Sequence, residues 1–167
     1  MGGAVTDGYS PVRDAISHLA ELGAPTRPWM TAGMVAFGIG VPVFGLGLRK
    51  AVDGPAWLAA LAAGAGSLAV AAVPLRPGED VPGHAVAASF AYLTVSLVPL
   101  LAAPHLKGRW RAASIAAGVG AGACLAATAI GPAHGLFQRA GLTIVDAWII
   151  AMALRLHRTG DGSSTDL

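Results

Sequence analysis

Charge is scarce in this chain. Only 12% of its 167 residues are Asp, Glu, Lys or Arg, about half the share of an ordinary soluble domain. So few charges cannot cover the surface of a water-exposed fold. Cysteine is nearly absent as well: Cys124 stands alone in an apolar run, so no intrachain disulfide framework can form. Basic charge is not in large excess. The net charge is +2, and the pI of 9.1 reflects a small difference on a charge-poor chain, so nucleic acid is not an expected partner. What is abundant is apolar. Hydrophobic residues make up 54% and the mean hydropathy is +0.62, which excludes intrinsic disorder and points to an integral membrane protein.

A membrane-crossing helix needs about 20 mostly apolar residues. Five stretches have that character: 29–48, 56–73, 84–103, 112–130 and 136–156. The segments between them carry proline, glycine or charge, as loops do. The runs are too long and too rich in Ala and Gly for strands. The expected fold is all-α: a five-span transmembrane bundle at residues 29–156, preceded by an external segment at 1–28 and followed by a disordered cytoplasmic tail at 157–167. Basic residues orient it. Arg49, Lys50, Lys107, Arg109, Arg111, Arg155 and Arg158 fall on one side, and Arg13, Arg27, Arg76 and Arg139 on the other. The side with seven is expected to be cytoplasmic, with the amino terminus outside. No apolar core segment in the first 28 residues suggests a cleavable signal peptide. Small residues, including the Gly118-x-x-x-Gly122 pattern, permit close helix approach within the bundle, in a homo-oligomer or in a larger membrane complex.

Residues 10–23 read as a short amphipathic helix. Ser10 suits the cap, Pro11 the first turn and Gly23 the stop. Val12, Ala15, Ile16, Leu19 and Leu22 fall on one face, with Asp14, Ser17 and His18 largely opposite. Such a helix lies in the headgroups or roofs the bundle and turns its polar residues inward.

The polar side chains collect at the outer ends of the spans: Asp80 and His84 before and in the third, His134, Gln138 and Arg139 in the fifth. Arg139, Thr143 and Asp146 share one helix face. Asp146 sits near mid-membrane, where a carboxylate is costly and marks a functional site by default. It is expected to face the bundle interior and, in its protonated form, to hydrogen-bond a polar side chain, a backbone carbonyl or a water, with Thr94, Ser96 and Thr128 as candidate side chains. Asp146, Asp14 and His84 are the candidate acid–base residues. Arg139, Gln138, Ser17, His134 and Asp80 are the candidate ligand contacts. A Ser17–His84–Asp80 triad can be written down, but no nucleophile motif marks Ser17. Zinc on the outer histidines and Asp, or haem between His84 and His134, lacks any spacing motif, so no metal or cofactor is expected.

Several of these residues sit in motifs. Tyr9-Ser10-Pro11-Val12-Arg13-Asp14-Ala15-Ile16-Ser17-His18-Leu19, Trp29-Met30-Thr31-Ala32-Gly33-Met34, Phe37-Gly38, the loop from Pro74 to His84, and Gly135-Leu136-Phe137-Gln138-Arg139 with Trp148 resemble domain-of-unknown-function family 998, multi-spanning prokaryotic membrane proteins. The resemblance runs over residues 9–156. It implies that Ser10, Asp14, Ser17, His84, Gln138 and Arg139 are family motif positions. It also implies six spans, with one before the Tyr9-Ser10-Pro11 motif that this chain is expected to lack.

Three functions compete. The first is binding of a membrane lipid or other amphiphile in a polar outer-leaflet pocket, with Arg139 taking a phosphate or carboxylate. The second is an intramembrane enzyme on such a substrate, a prenyl cyclase or lipid hydrolase, with Asp146 or Asp14 as acid or base. The third is an accessory subunit whose polar cluster only holds helices together.

Overall fold

Each of the five apolar runs forms an α-helix in the computed structural model, which describes residues 8–160. The helices are α1 Arg27–Ala51, α2 Ala56–Ala72, α3 Pro82–Ala102, α4 Gly108–Ala127 and α5 His134–Gly160, and the described residues contain no strand. Pro28 and Pro82 sit in the first turns of α1 and α3, where a missing N–H costs nothing. Sequence neighbours pack on one another, and α5 closes against α1 and α3.

Four helices, α1, α3, α4 and α5, are long and apolar enough to cross a membrane. α2 is shorter, at 17 residues, or about 25 Å at about 1.5 Å per residue, against a hydrocarbon core of about 30 Å. The outward faces carry Ile39, Val43, Leu58, Val86, Leu93, Val119 and Ile150, all at least half exposed. A surface this apolar belongs in lipid.

Small residues bring the helices together. Pro42, inside α1, cannot donate to the Gly38 carbonyl. That carbonyl packs against Gly64 of α2, where a Cβ would come within 2.7 Å of it. Gly118 lies under Leu100 and the Ser96 carbonyl of α3, and Gly141 against the Ala121 carbonyl of α4. Gly122, the second half of the glycine pair in α4, meets nothing. The buried core centres on Leu48, Ala60, Val95, Val98, Val145, Trp148 and Met152, toward the end that carries Arg49, Lys50 and Arg155. At that end Arg49 stacks on Trp57 at 4.6 Å and Arg155 on Trp110 at 4.9 Å, the aromatic–basic pairing of a membrane interface.

Two expectations change. The helix over 10–23 reduces to turns followed by a 3-10 helix, Ile16–Ala20. The reason is competition for carbonyls: those of Pro11, Val12 and Asp14 bond to α5, and the Asp14 carboxylate accepts from the Ser10 amide at 2.6 Å. None of these is left for an α-helical ladder. The tail expected to be disordered from 157 is helical through Gly160, and residues 161–167 lie outside the described ones.

Candidate functional site

The two best-marked motifs are bonded to each other. Arg139 Nη1 donates to the carbonyls of Pro11 at 2.7 Å and Asp14 at 3.2 Å, and to Gly135 of its own helix at 2.9 Å. Its other terminal nitrogen donates to the Tyr9 hydroxyl, and its guanidinium lies 5.6 Å from the centre of the Tyr9 ring. The Leu136 amide donates to the Val12 carbonyl at 3.0 Å. The Ile16 amide donates to Gln138 Oε1 at 2.7 Å, while Gln138 Nε2 donates to the Tyr92 hydroxyl of α3. Gly135 is small because the segment's main chain passes directly over it: a Cβ there would collide with the carbonyls of Pro11 and Asp14. Farther along, the Leu22 amide donates to the Leu75 carbonyl at 3.0 Å, and the Thr26 hydroxyl to Leu19 at 2.7 Å. The segment before α1 is strapped across one end of the bundle by α5 and the α2–α3 loop.

Beneath the strap lie two neighbouring cavities. The outer one, of about 450 Å³, is the more polar of the two; its walls include Asp14, Ser17, His18, His84, Ser89, His134 and Gln138. The inner one, of about 230 Å³, is apolar; its walls include Trp29, Met34, Phe37, Val95 and Leu142, with Asp146 the sole acidic side chain. Ser17 and Tyr92 line both. The helices meet tightly toward the basic end, where Phe44 and Trp148 pack edge to face at 6.1 Å, and part toward the strap.

The histidines are oriented by their Nδ1 atoms. His84 is buried, and its Nδ1–H donates to the Val73 carbonyl at 2.7 Å. A carbonyl only accepts, so in the neutral ring Nε2 is an acceptor, and it has no partner. His134 donates likewise to the Thr128 carbonyl, and His18 pairs with Glu21 at 3.2 Å. Among the described residues no group of three or more His, Cys, Asp or Glu could hold a metal ion.

The structure therefore brings together Asp14, Ser17, His84, His134 and Gln138 in one cavity. Asp80 is exposed in the α2–α3 loop and joins neither cavity, so the Ser17–His84–Asp80 triad does not assemble. Arg139 lines neither cavity, and its terminal nitrogens bond to the strap and to Gly135. The Asp14 carboxylate caps its own turn and does not reach His84 or Arg139. Asp146 faces the inner cavity as expected, and no protein group among the described residues bonds to its carboxyl. Its candidate partners are satisfied within their own helices: Thr94 by Phe90, Ser96 by Tyr92 and Thr128 by Leu125. Tyr9, Tyr92, Trp29 and Phe37 escape a reading guided by charge, although a tyrosine in the middle of an apolar run is itself a visible signal.

A helical membrane bundle with a terminal strap over a polar-to-apolar chamber is the class that these features define. Within it, the chain belongs to the family described as Protein of unknown function (DUF998), whose model matches residues 1–155. No curated protein and no solved structure matches the chain.

Proposed function

We propose that this is a multi-pass protein of a prokaryotic plasma membrane that binds an amphiphile beneath its strap. All five helices cross the bilayer, with the amino terminus outside and the carboxyl terminus in the cytoplasm. α2 crosses at the lower limit of length. The outer cavity takes the polar part of the ligand and the inner cavity the apolar part. One observation carries this reading: a polar and an apolar cavity share Ser17 and Tyr92 as walls, which is the polarity gradient an amphiphile needs. Among the described residues the Ser17 hydroxyl has no partner and the Tyr92 hydroxyl, which accepts from Gln138, keeps its proton, so both can orient the ligand at the junction.

Hydrolysis of the amphiphile is the second reading. It rests on His84 Nε2, an unpartnered acceptor in the same cavity as the Ser17 hydroxyl. It stands second because no hydrogen bond joins the two among the described residues.

One experiment addresses both. Purified protein in phosphatidylcholine nanodiscs is irradiated with a diazirine-bearing lysophospholipid and digested. Crosslinks are expected on the segment around Ser17 and on α1 or α3 near Phe37 and Tyr92, and Ser17→Trp, which fills the junction, should reduce them about tenfold or more. Crosslinks scattered over the lipid-facing residues, unchanged by Ser17→Trp, would overturn the binding reading. Recovery of cleaved lipid that depends on Ser17 would move the enzyme reading to first place.

A further inference from the structure

The inner cavity has an electrostatic imbalance. Of the side chains that line it, one is a carboxyl, Asp146, and none is Lys, Arg or His. Asp146 lies twelve residues into α5, about 18 Å from the helix start, at the deep end of the cavity. Among the described residues it makes no hydrogen bond or ion pair. Another polar group in the wall, the Ser67 hydroxyl, is spent on the Met34 carbonyl at 2.8 Å. A carboxylate with two acceptor oxygens and no protein donor, among largely apolar walls, is costly unless it takes a counter-charge, a proton or water. The walls suit a counter-charge of one kind. Trp29, Phe37 and Tyr92 present aromatic rings, and Met30 and Met34 polarisable sulfur. Ring faces attract a cation, and do so most strongly where water is excluded. A metal ion would need several oxygen or nitrogen ligands, and the cavity offers one carboxylate.

We propose that the inner cavity binds an organic cation, a ligand whose apolar body packs among Trp29, Phe37 and Tyr92 and whose ammonium nitrogen pairs with Asp146. The inference rests on the reading of this chamber as a binding site, and it amends that reading at one point: the ligand's apolar part in the inner cavity ends in a cationic group at Asp146. Trp29 is 82% exposed and stands at the margin of the cavity, between the strap and the start of α1.

The test uses two probes of the same shape class, (3-phenylpropyl)trimethylammonium and the neutral 3-phenylpropanol. Binding is measured by calorimetry to the full chain in phosphatidylcholine nanodiscs, with empty nanodiscs subtracted. The wild type is expected to prefer the cation by about tenfold or more. Asp146→Asn should abolish that preference while leaving the affinity for the alcohol within about twofold. Equal affinity of the wild type for the two probes would overturn the cation inference and leave the binding site standing. Binding of neither probe, together with scattered lipid crosslinks, would overturn the site itself. Should Asp146→Asn fail to fold, Phe37→Leu replaces it: loss of cation preference supports the inference, and an unchanged preference overturns the aromatic part of it.

Discussion

Arg139 is the residue on which the strap depends. Its guanidinium bonds to the carbonyls of Pro11, Asp14 and Gly135 and to the Tyr9 hydroxyl. A fork of fixed N–H donors can serve that many acceptors at once; an ammonium on a flexible stem reaches fewer of them. Hydrogen bonds from a charged donor are worth about 1.5–3 kcal/mol each, with less for the partly exposed ones here. Arg139→Lys is therefore expected to lower the local stability of the strap by about 2 kcal/mol, and Arg139→Ala by more. Amide exchange read at Ile16 and Leu22, whose N–H groups bond to Gln138 and Leu75, checks it: exchange there should accelerate about thirtyfold for a loss of 2 kcal/mol. That Arg139 and Gln138 sit at one end of the bundle is legible in the sequence. What they bond to is not, because a main-chain carbonyl has no residue type. A clamp and a ligand-binding pair therefore look alike in the sequence. Asp146 shows the opposite case. Its depth and cost can be read directly, and its lack of a partner becomes visible only once Thr94, Ser96 and Thr128 are seen to be satisfied by their own helices.

At the scale of elements, the five helices follow from the five apolar runs, and the strap departs from its pattern. The apolar spacing over 10–23 is real: Leu19 and Ala20 are buried. The short helix it implies loses to tertiary hydrogen bonds, since each carbonyl drawn to α5 is one that an α-helix cannot use. Helices shorter than about 12 residues are marginal without such support, so the balance tips easily. Gly135 is where the two elements come closest. Gly135→Ala places a methyl against the carbonyls of Pro11 and Asp14, both main-chain atoms that cannot swing aside. The strap is expected to lift from α5 in this variant, with exchange at Ile16 and Leu22 approaching the unprotected rate. The amides of α3 and α4 should keep their protection, because their contacts lie elsewhere. Loss of protection throughout the bundle would show that the strap is a folding requirement and not a separately docked element.

For the whole molecule, the open question is which end faces outward, and the charges bear on it directly. The strap, the α2–α3 loop and the start of α5 meet at one end, held by Leu22 to Leu75 and by Val12 to Leu136. At the other end lie Arg49, Lys50, Lys107, Arg109, Arg111, Arg155 and Arg158, with Trp57 and Trp110 stacked under arginines. Cytoplasmic loops keep Lys and Arg because moving them across the bilayer is costly. The strap end, with four basic residues diluted by Asp14, Glu21, Glu79 and Asp80, is therefore the end expected to cross. The two cavities open beneath the strap, so this orientation presents the proposed site to the outer leaflet. Single cysteines at exposed loop positions test it, in a Cys124→Ser background. Asp80→Cys in the α2–α3 loop should react with an impermeant maleimide added to intact cells, and Asp53→Cys in the α1–α2 loop only after permeabilisation. Both residues are exposed, so reactivity reads sidedness and not burial. The reverse pattern would invert the molecule and turn the strap and its chamber to the cytoplasm. Labelling of both from outside would mean that α2, the shortest helix, does not cross.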